Sequence, residues 1–400
     1  MIRYFNPGHE SAILNGSKYY KPNANIVKMQ EDLAFLPAWY ASPNDFVLTK
    51  QAPTEDFLSS VQSLNPLAKA ITSADFILGK EQLLEEEINL WGISPQSVHL
   101  FEQLKKQYDL QLKIPEWKEI HLSLGGRLTS KECLSFLIDN LPTIEKRILP
   151  IYLSDLSEIE KYIINSKEKQ VVKAPYSSSG RGLIWLLPEK LAQSEKQILS
   201  GMLKKQKEVS VEPALNKILD FSMHFEINQE VSFVGYSLFQ TNNKGVYEKS
   251  ILANQEKLEI QITDLINKEL LLSVKNKLLS FIQGKYTPEY KGKLGVDMLI
   301  YQTGNHYHLN PCVEINMRKS MGYLAIQLFN NYIAPSSKGA FFIEYNPKAI
   351  QKHEELKAQY PVVFDNGRIK SGYMALCPIT EESRFHAFLI ITHPHTLFAY

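Results

Sequence analysis

The residues of this sequence best suited to chemistry are Asp297, Glu314, Asn316 and Arg318. Alternate positions of a strand point to one face, so Glu314, Asn316 and Arg318 are expected to share a face. Carboxylate and amide oxygens are the ligands that Mg²⁺ with bound phosphates prefers. A guanidinium beside them suits an anionic substrate or the charge that develops during phosphoryl transfer. The alternative interpretation is a solvated strand face with ordinary salt bridges.

A β-hairpin is the element that must position these residues. Two apolar strand-like runs, residues 294–301 and 306–315, flank a turn signal at Gly304. Folding the chain about that turn brings Asp297 close to the position opposite Glu314. A proline in the second run predicts a bulge that absorbs the remaining register. The two carboxylates are therefore expected on one face of a sheet.

A lysine followed by a loop of small residues lies well before the hairpin. Lys173 is part of the strand-like run 169–175, and the loop 176–182 follows it directly. Backbone N–H groups and serine hydroxyls of such a loop can approach phosphate oxygens closely, and the lysine would supply a point charge to them. The P-loop pattern and the dinucleotide-binding glycine pattern are absent. A surface hairpin with a mobile turn is the alternative.

Between these two features, a strand-like run ends in Glu212 followed by Pro213. The alternating runs 220–227 and 231–239 come next and predict antiparallel strands. An apolar stripe at helical spacing then predicts a long helix over residues 267–283. This central part of the chain therefore differs in character from its beginning.

The pattern at the beginning of the sequence predicts a small domain of alternating strands and helices. Its strand-like runs are residues 2–5, 46–48 and 76–78. In such a sheet a ligand binds at the carboxyl end of a strand, which makes Asn6, His9 and Glu10 candidates for contacting a substrate. A plain turn after the first strand is the alternative.

Composition bounds the class of protein. The chain has 400 residues, with Lys+Arg 44 and Asp+Glu 43, and this balance favours neither nucleic acid nor a membrane as a partner. Three scattered cysteines argue against a zinc site and for a reducing compartment. The sequence contains no apolar run long enough to span a membrane and no recognisable signal peptide, so a cytoplasmic location is expected. The oligomeric state stays open, with a homodimer as one possibility.

The order of the three features resembles the ATP-grasp superfamily. VVKAPYSSSGRG is similar to that family's strand lysine and glycine-rich flap, and GVDMLIY followed by VEINMR is similar to its metal-binding pair. The resemblance covers residues 131–322 and implies a fold of the α+β and α/β classes, in which two α+β subdomains clamp ATP behind a small Rossmann-like pre-ATP-grasp α/β domain. The implied domains are 1–115 (pre-ATP-grasp), 116–205 (lysine and flap), 206–345 (hinge and Mg²⁺ site) and 346–400 (a C-terminal helix and strands packing on the core).

For the nucleotide, the resemblance implies that Lys173 holds the α- and β-phosphates and that Asp220 reaches the ribose. The family's second phosphate-binding cation corresponds to Lys131, with Arg127 as a competing choice. The flap over the phosphates is implied to consist of Ser177, Ser178, Ser179 and Gly180. The hinge that reads the adenine is implied to consist of Val211, Glu212, Pro213 and Ala214.

For the metal and the substrate, the resemblance implies two Mg²⁺ ions, with Mn²⁺ as an alternative ion. Asp297 and Glu314 would bind the ions, with Glu314 bridging them and Asn316 completing the second site. Arg318 would hold a carboxylate substrate and, with Lys173, steady the phosphoryl transition state. The residues after Arg318 lack the Pro-Gly of dipeptide ligases and the Glu-His of biotin-dependent carboxylases, which argues against those particular substrates.

The function that these roles imply is that of an ATP-dependent ligase. Phosphorylation converts a small carboxylate into an acyl phosphate, and an amine then attacks it to form a C–N bond. The partners are thus a small-molecule carboxylate and an amine. Two alternatives stay open at this point: an ATP-dependent phosphotransferase built on the same fold, and a nucleotide-binding module without turnover.

Overall fold

The computed structural model of the protein describes residues 1–78, 80–176, 182–242 and 245–392. Its strands are β1 (Ile2–Tyr4), β2 (Phe46–Leu48), β3 (Lys69–Ile71), β4 (Ile88–Leu90), β5 (Ile151–Leu153), β6 (Gln170–Lys173), β7 (Leu183–Leu186), β8 (Val209–Pro213), β9 (Lys217–Ile227), β10 (Val231–Thr241), β11 (Tyr247–Leu252), β12 (Gly292–Thr303), β13 (His306–Asn316), β14 (Lys338–Tyr345), β15 (Val363–Asp365), β16 (Arg368–Ala375) and β17 (Phe385–Thr392). Its α-helices are α1 (His9–Asn15), α2 (Ala24–Asp32), α3 (Glu55–Val61), α4 (Asp75–Leu78), α5 (Lys80–Leu83), α6 (Pro95–Gln107), α7 (Ile120–Leu124), α8 (Arg127–Asn140), α9 (Leu156–Asn165), α10 (Gln193–Gln206), α11 (Gln255–Thr263), α12 (Lys268–Lys285), α13 (Met321–Tyr332) and α14 (Ala349–Gln359). Short 3-10 turns lie at Leu36–Trp39 and Lys146–Ile148.

The chain folds into two compact units. Unit 1 consists of Met1–Lys118, Glu248–Leu258 and Arg318–Tyr400, and unit 2 consists of Glu119–Tyr247 and Glu259–Met317. The finer division into four domains with boundaries at 115, 205 and 345 stays a prediction. Within the described residues, no helix is long and apolar enough to cross a membrane.

The N-terminal part of unit 1 is a parallel sheet with the strand order β3-β2-β1-β4. This confirms the small α/β domain that the sequence predicts. Parallel strands are usually covered on both faces, and Ile2 of β1 and Val47 of β2 are fully buried.

One strand prediction in this domain is wrong. Residues 76–78 belong to helix α4, and the strand of this region is β3 instead. The Asp75 carboxylate accepts hydrogen bonds from the Thr72 N–H (2.7 Å) and the Thr72 hydroxyl (2.9 Å), which starts a turn directly before Phe76. A three-residue apolar run carries no periodicity, so side-chain capping decides its conformation.

The C-terminal part of unit 1 is an antiparallel sheet with the order β11-β14-β17-β16-β15. It is tied to the N-terminal part of the same unit by buried hydrogen bonds. The Trp39 indole N–H donates to the Leu376 carbonyl at 2.7 Å. The Asp32 carboxylate accepts from the backbone N–H groups of Arg384 (2.8 Å) and Phe385 (3.0 Å). These hydrogen bonds therefore hold the N-terminal and C-terminal parts of unit 1 together.

Unit 2 contains two antiparallel sheets. The first has the order β5-β8-β6-β7 and buries its apolar face against α9 and α10 through residues such as Val172, Ile159 and Leu199. The second contains the order β13-β12-β9-β10, in which β9 and β10 include the predicted strands 220–227 and 231–239. Helix α12 agrees with the predicted helix within two residues, and Asn267 accepts the N–H of Glu269 as its N-cap.

The predicted hairpin is confirmed by the pairing of β12 with β13. Asp297 lies opposite Glu314, and Gly295 lies opposite Asn316. The register shifts between Asp297 and Leu299, where the single residue Met298 faces the three residues 311–313 of β13, so β13 carries two extra residues around Pro311. The bulge therefore lies directly beside the carboxylate pair.

A histidine in the interior of unit 2 makes stability sensitive to acid. His224 on β9 is buried, and its Nε2 shares a 2.8 Å hydrogen bond with the Ser237 hydroxyl. Burial lowers the pKa of His224 to about 3, whereas a histidine in the unfolded chain titrates at about 6.5. Between these two values the unfolded state binds the additional proton, so the free energy of unfolding falls as the pH drops below about 6.5.

We expect a His224→Gln variant to lose less stability on acidification than the wild type. From pH 7 to pH 5, the uncharged imidazole of His224 costs the wild type about 2 kcal/mol that a glutamine does not. Urea unfolding at the two pH values measures the difference. His306→Gln, at an exposed position of β13, is the control and should keep the wild-type pH dependence. Equal pH dependence in all three proteins would contradict the assignment.

Candidate functional site

Unit 2 contains a cavity of about 360 Å³ that is lined by residues of both of its sheets. This volume lies within the range of small-molecule sites, about 300–1,000 Å³. The site residues predicted from the sequence that line it are Lys173, Glu212, Pro213, Ala214, Asp220, Asp297 and Glu314. The fold thus collects residues from three separate sequence features around one space.

Lys173 and Glu212 form an ion pair in the wall of this cavity. Their strands are neighbours, with Lys173 opposite Ser210 and Glu212 opposite Val171. The side chains are only 10% and 16% exposed, so each charge depends on the other for compensation. The pair holds an ammonium group in the wall of the cavity, and the phosphate-binding role of Lys173 stays a prediction.

The predicted hinge residues form the end of β8 and the position directly after it. The Ala214 N–H donates to the Lys169 carbonyl at 2.9 Å, which extends the pairing with β6 just beyond the strand. Pro213, opposite Gln170, and Ala214 both line the cavity. The segment then turns into β9 at Lys217, so this stretch connects the two sheets.

Asp297 is held by two donors. The Asn316 side-chain amide donates to its Oδ2 at 2.8 Å, and the Ser222 hydroxyl donates to its Oδ1 at 2.6 Å. Asn316 is therefore brought to the carboxylate as predicted, although it is not among the residues that line the cavity. Ser222 lies opposite Asp297 on β9 and was not predicted, because the pairing of β9 with β12 is long-range and cannot be read from either strand.

Glu314 is paired with Arg127. The Nη2 atom of Arg127 lies 3.1 Å from Oε1 of Glu314, and its Nε donates to the Ala174 carbonyl at 3.1 Å. Arg127 lines the cavity, whereas the Lys131 ammonium lies over the ring of Tyr152 at 5.2 Å from its centroid. Of the two competing cations, Arg127 is the one that contacts both Ala174, directly after the strand with Lys173, and Glu314, the predicted metal ligand.

The donor set fits Mg²⁺. Asp297, Glu314 and Asn316 present only carboxylate and amide oxygens as ligands, which is the chemistry of a hard divalent cation and not of zinc. Among the described residues, no group of three or more His, Cys, Asp or Glu side chains forms a metal cage. Mg²⁺ is commonly bound by one or two carboxylates of the protein, and phosphate oxygens of the substrate complete its ligands.

Asp220 belongs to a small polar network on the cavity wall. Its carboxylate is paired with the Lys217 ammonium and accepts a hydrogen bond from the Thr241 hydroxyl at 3.0 Å. Lys217 and Thr241 also line the cavity. Asp220 is therefore one of the polar residues of the cavity wall, and its contact with a ribose stays a prediction.

The apolar walls of the cavity were not predicted. They include Ile148, Trp185, Phe239, Met298 and Leu299. Trp185 stands on β7 opposite Val171, which is also a lining residue. Alternating hydrophobicity signals such positions, but assigning a face to the cavity requires the register of both sheets.

The predicted flap residues Ser177, Ser178, Ser179 and Gly180 lie outside the described residues. The chain on either side of them is fixed. Gln206 forms two hydrogen bonds of 2.8 Å with the backbone of Tyr176, and the Ala174 N–H donates to the Gly182 carbonyl at 3.0 Å. Gly182 has φ of 68°, a conformation that favours glycine.

Arg318 belongs to unit 1, where it contacts the predicted N-terminal turn. Its Nε and Nη2 both lie 2.8 Å from Oε1 of Glu10. Asn6 exchanges two hydrogen bonds with the backbone of Gly92, donating to its carbonyl at 2.7 Å and accepting from its N–H at 3.2 Å. Hydrogen bonds therefore fix the conformation of this turn, and its ion pair joins Arg318 and Glu10, which were both candidates from the sequence.

His9 is the buried member of the same turn. Burial lowers the pKa of His9 to about 4, so its imidazole is neutral at pH 7. A Cβ on residue 92 would lie 2.3 Å from the ring, which explains the glycine at that position. His9 therefore shapes the turn by packing, and the charge of this turn resides on Glu10 and Arg318.

No protein-family model matches this sequence, and no curated protein matches it either. Solved structures are nevertheless similar to the chain. The biotin carboxylase domain of Hydrogenobacter thermophilus 2-oxoglutarate carboxylase, solved with MgADP, ADP and bicarbonate, is 10% identical and covers 98% of this chain and 86% of its own, with a TM-score of 0.50.

Two further structures are similar at lower TM-scores. N5-carboxyaminoimidazole synthetase from Staphylococcus aureus, in complex with ADP, is 15% identical over 98% of this chain and 92% of its own, with a TM-score of 0.47. The L-amino acid ligase from Bacillus licheniformis is 10% identical over 88% of both chains, with a TM-score of 0.43. The likeness to the biotin carboxylase domain shows that this chain has the ATP-grasp fold, which confirms the predicted fold class.

The Lys173–Glu212 pair generates a prediction on stability. A Glu212→Gln variant leaves the buried ammonium without its counter-charge, and we expect it to lower the free energy of unfolding by about 2–4 kcal/mol. Urea unfolding measures the change. The control is Glu132→Gln, which removes the partner of Lys285 from an exposed pair and should change stability by less than about 0.5 kcal/mol. Equal effects of the two substitutions would show that the Lys173–Glu212 pair is not buried in solution.

Proposed function

We propose that this protein is an ATP-dependent carboxylate–amine ligase. The observation that supports the proposal is the cavity of unit 2, where the cations Lys173 and Arg127 and the carboxylates Asp297 and Glu314 line one space within an ATP-grasp fold. The similar biotin carboxylase domain was solved with MgADP and bicarbonate, a nucleotide and a small carboxylate-like anion. Cations beside paired carboxylates suit a nucleotide polyphosphate and its metal ion better than an uncharged ligand.

The nucleotide is proposed to lie with its base against the apolar wall and its phosphates near the cations. Ile148 and Leu299 are among the residues that would contact the adenine, and the backbone of Pro213 and Ala214 would read its edge. Lys173 and Arg127 would bind the phosphates, with Asp220 at the ribose. The segment 177–180 would cover the phosphates and exclude water that hydrolyses a reactive intermediate.

Asp297, Glu314 and Asn316 are the residues proposed to hold Mg²⁺, as two ions, with Mn²⁺ as an alternative. When bound, Mg²⁺ supplies neutralisation of the phosphate charge. The chain itself orients these ligands, because Ser222 and Asn316 hold both oxygens of Asp297 by hydrogen bonds. Before loading, the guanidinium of Arg127 compensates Glu314.

The proposed reaction proceeds in two steps. An oxygen of the substrate carboxylate attacks the γ-phosphorus of ATP, the bond to the β–γ bridging oxygen breaks, and ADP leaves. The amine nitrogen then attacks the acyl carbon of the acyl phosphate, loses a proton, and phosphate leaves. Lys173 would stabilise the transferred charge, and Arg318 is proposed to hold the substrate carboxylate.

We also propose a cytoplasmic location, because all three cysteines are buried free thiols and the reaction consumes ATP. A homodimer stays a prediction. The carboxylate and the amine are proposed to be small molecules.

The first test is nucleotide binding measured by calorimetry. We expect wild-type protein to bind ATP in the presence of Mg²⁺ and a Lys173→Met variant to bind it at least about tenfold more weakly, because a charge-assisted phosphate contact is lost. Asp297→Asn should weaken the Mg²⁺-dependent part of the affinity. Lys196→Met is the matched control, since Lys196 is paired with Glu160 away from the cavity lining. Absence of binding by the wild type would overturn the proposal.

The second test is turnover. Panels of small carboxylates and amines are offered with ATP and Mg²⁺, and ADP release is measured together with product mass. A ligase forms a C–N product only when both substrates are present. A phosphorylated product that accumulates without an amine would indicate a phosphotransferase, and binding without any ADP release would indicate a module without turnover.

A further inference from the structure

A second polar cluster of unit 2 lies apart from the residues that line the cavity. It consists of Glu145, Arg147, Tyr301, Thr303 and His308, and we call it the clasp. Arg147 belongs to the 3-10 turn before β5 and Glu145 directly precedes that turn, whereas the other three belong to the end of the β12–β13 hairpin. The clasp therefore joins a segment of the first sheet to the second sheet by side-chain contacts.

The centre of the clasp is the Glu145 carboxylate. Its Oε2 accepts hydrogen bonds from the Tyr301 hydroxyl at 2.6 Å and from Nε of Arg147 at 2.7 Å. Its Oε1 lies 3.5 Å from Nδ1 of His308. Burial acts to raise the pKa of Glu145, but the hydrogen bonds from Tyr301 and Arg147 outweigh it and hold that pKa below its usual range. The carboxylate is thus ionised at neutral pH and contacts both the neighbouring 3-10 turn and the β12–β13 hairpin.

Arg147 contacts the hairpin and also the segment that precedes β6. Its Nη2 donates to the Thr303 hydroxyl at 2.9 Å, and its guanidinium lies over the Tyr301 ring at 5.5 Å. Its Nη1 contacts both oxygens of Glu168, at 3.3 and 3.4 Å. The Tyr301 ring also stacks on His308 at 5.4 Å. A planar guanidinium with several fixed partners restricts movement in more than one direction.

The clasp adjoins two walls of the cavity. Ile148 directly follows Arg147, is buried, and lines the cavity. Leu299 lies two residues before Tyr301 on β12 and lines the cavity from the second sheet. Tyr301 is fully buried, so its hydroxyl bond to Glu145 is held in a fixed geometry. Each of these two lining residues therefore lies within two positions of a clasp residue that does not itself line the cavity.

We propose that the clasp is a positioning device, which fixes the apolar walls of the cavity at the separation that a flat aromatic base requires. The proposal rests on the proposed nucleotide-binding function. Glu145, Arg147 and Tyr301 are positioning residues that do not touch the ligand. Removing a clasp contact lowers the affinity for the nucleotide, whereas the phosphate-binding and metal-binding residues keep their positions. Such a substitution therefore changes Kd more than it changes kcat.

The test uses the full-length protein with Tyr301→Phe, which removes one hydroxyl and keeps the ring, and Arg147→Gln, which removes the cross-sheet bonds. Tyr307→Phe, on the same hairpin and half exposed, is the matched control. We expect the Kd for MgATP to rise about threefold in Tyr301→Phe and about tenfold in Arg147→Gln, with kcat changed by less than about twofold. The double variant should bind no more weakly than Arg147→Gln, because the residues act as one unit.

Amide hydrogen exchange supplies a readout that needs no nucleotide. In Arg147→Gln, exchange should accelerate together in the segment 145–153 and in the hairpin end 299–308, with β6 unchanged. Acceleration in only one segment, or wild-type nucleotide affinity in Arg147→Gln, overturns the clasp proposal and leaves the ligase proposal intact. Failure of the wild type to bind MgATP overturns the ligase proposal, and with it the positioning role, whatever the exchange shows.

Discussion

The register of the β12–β13 hairpin is the constraint on which the site depends. A slip by one residue would turn Asp297 and Glu314 to opposite faces, since side chains alternate along a strand. The register is fixed from both sides. On β9, Ser222 lies opposite Asp297 and donates to it, and on α8, the Ser130 hydroxyl accepts the Ile315 N–H at 3.0 Å. The carboxylates therefore owe their common face to partners far away in sequence.

Within the cavity, the structure pairs each cation with a carboxylate. Among the described lining residues, Arg127 faces Glu314, Lys173 faces Glu212, and Lys217 faces Asp220. A partly buried charge needs such compensation, because desolvation penalises it. A polyanion that binds these cations then has to replace the carboxylates that are paired with them. Such an exchange favours ligands with several negative charges and an accompanying metal ion, since the released carboxylates need a new counter-charge.

The parts of this arrangement that could be predicted from the sequence are local ones. The strand with Lys173, the hairpin about Gly304 and the parallel opening sheet each have a short-range pattern, and the structure has all three. The parts that could not be predicted depend on contacts between distant segments. Arg127 and Lys131 stand one helical turn apart on α8, and only packing shows that the first lines the cavity while the second covers Tyr152. Ser222 and Trp185 likewise required the register of separate strands.

The N-terminal turn of unit 1, like the cavity of unit 2, pairs its cation with a carboxylate. Arg318 is compensated by Glu10, and the burial that lowers the pKa of His9 to about 4 keeps its imidazole uncharged at pH 7. The turn therefore presents a balanced ion pair on a frame fixed by the two hydrogen bonds between Asn6 and Gly92. A carboxylate that reaches Arg318 has to compete with Glu10 for the same guanidinium. Charge alone would give it little advantage, so under the proposed function selection among carboxylates would depend on the shape and hydrogen bonding of the rest of the substrate.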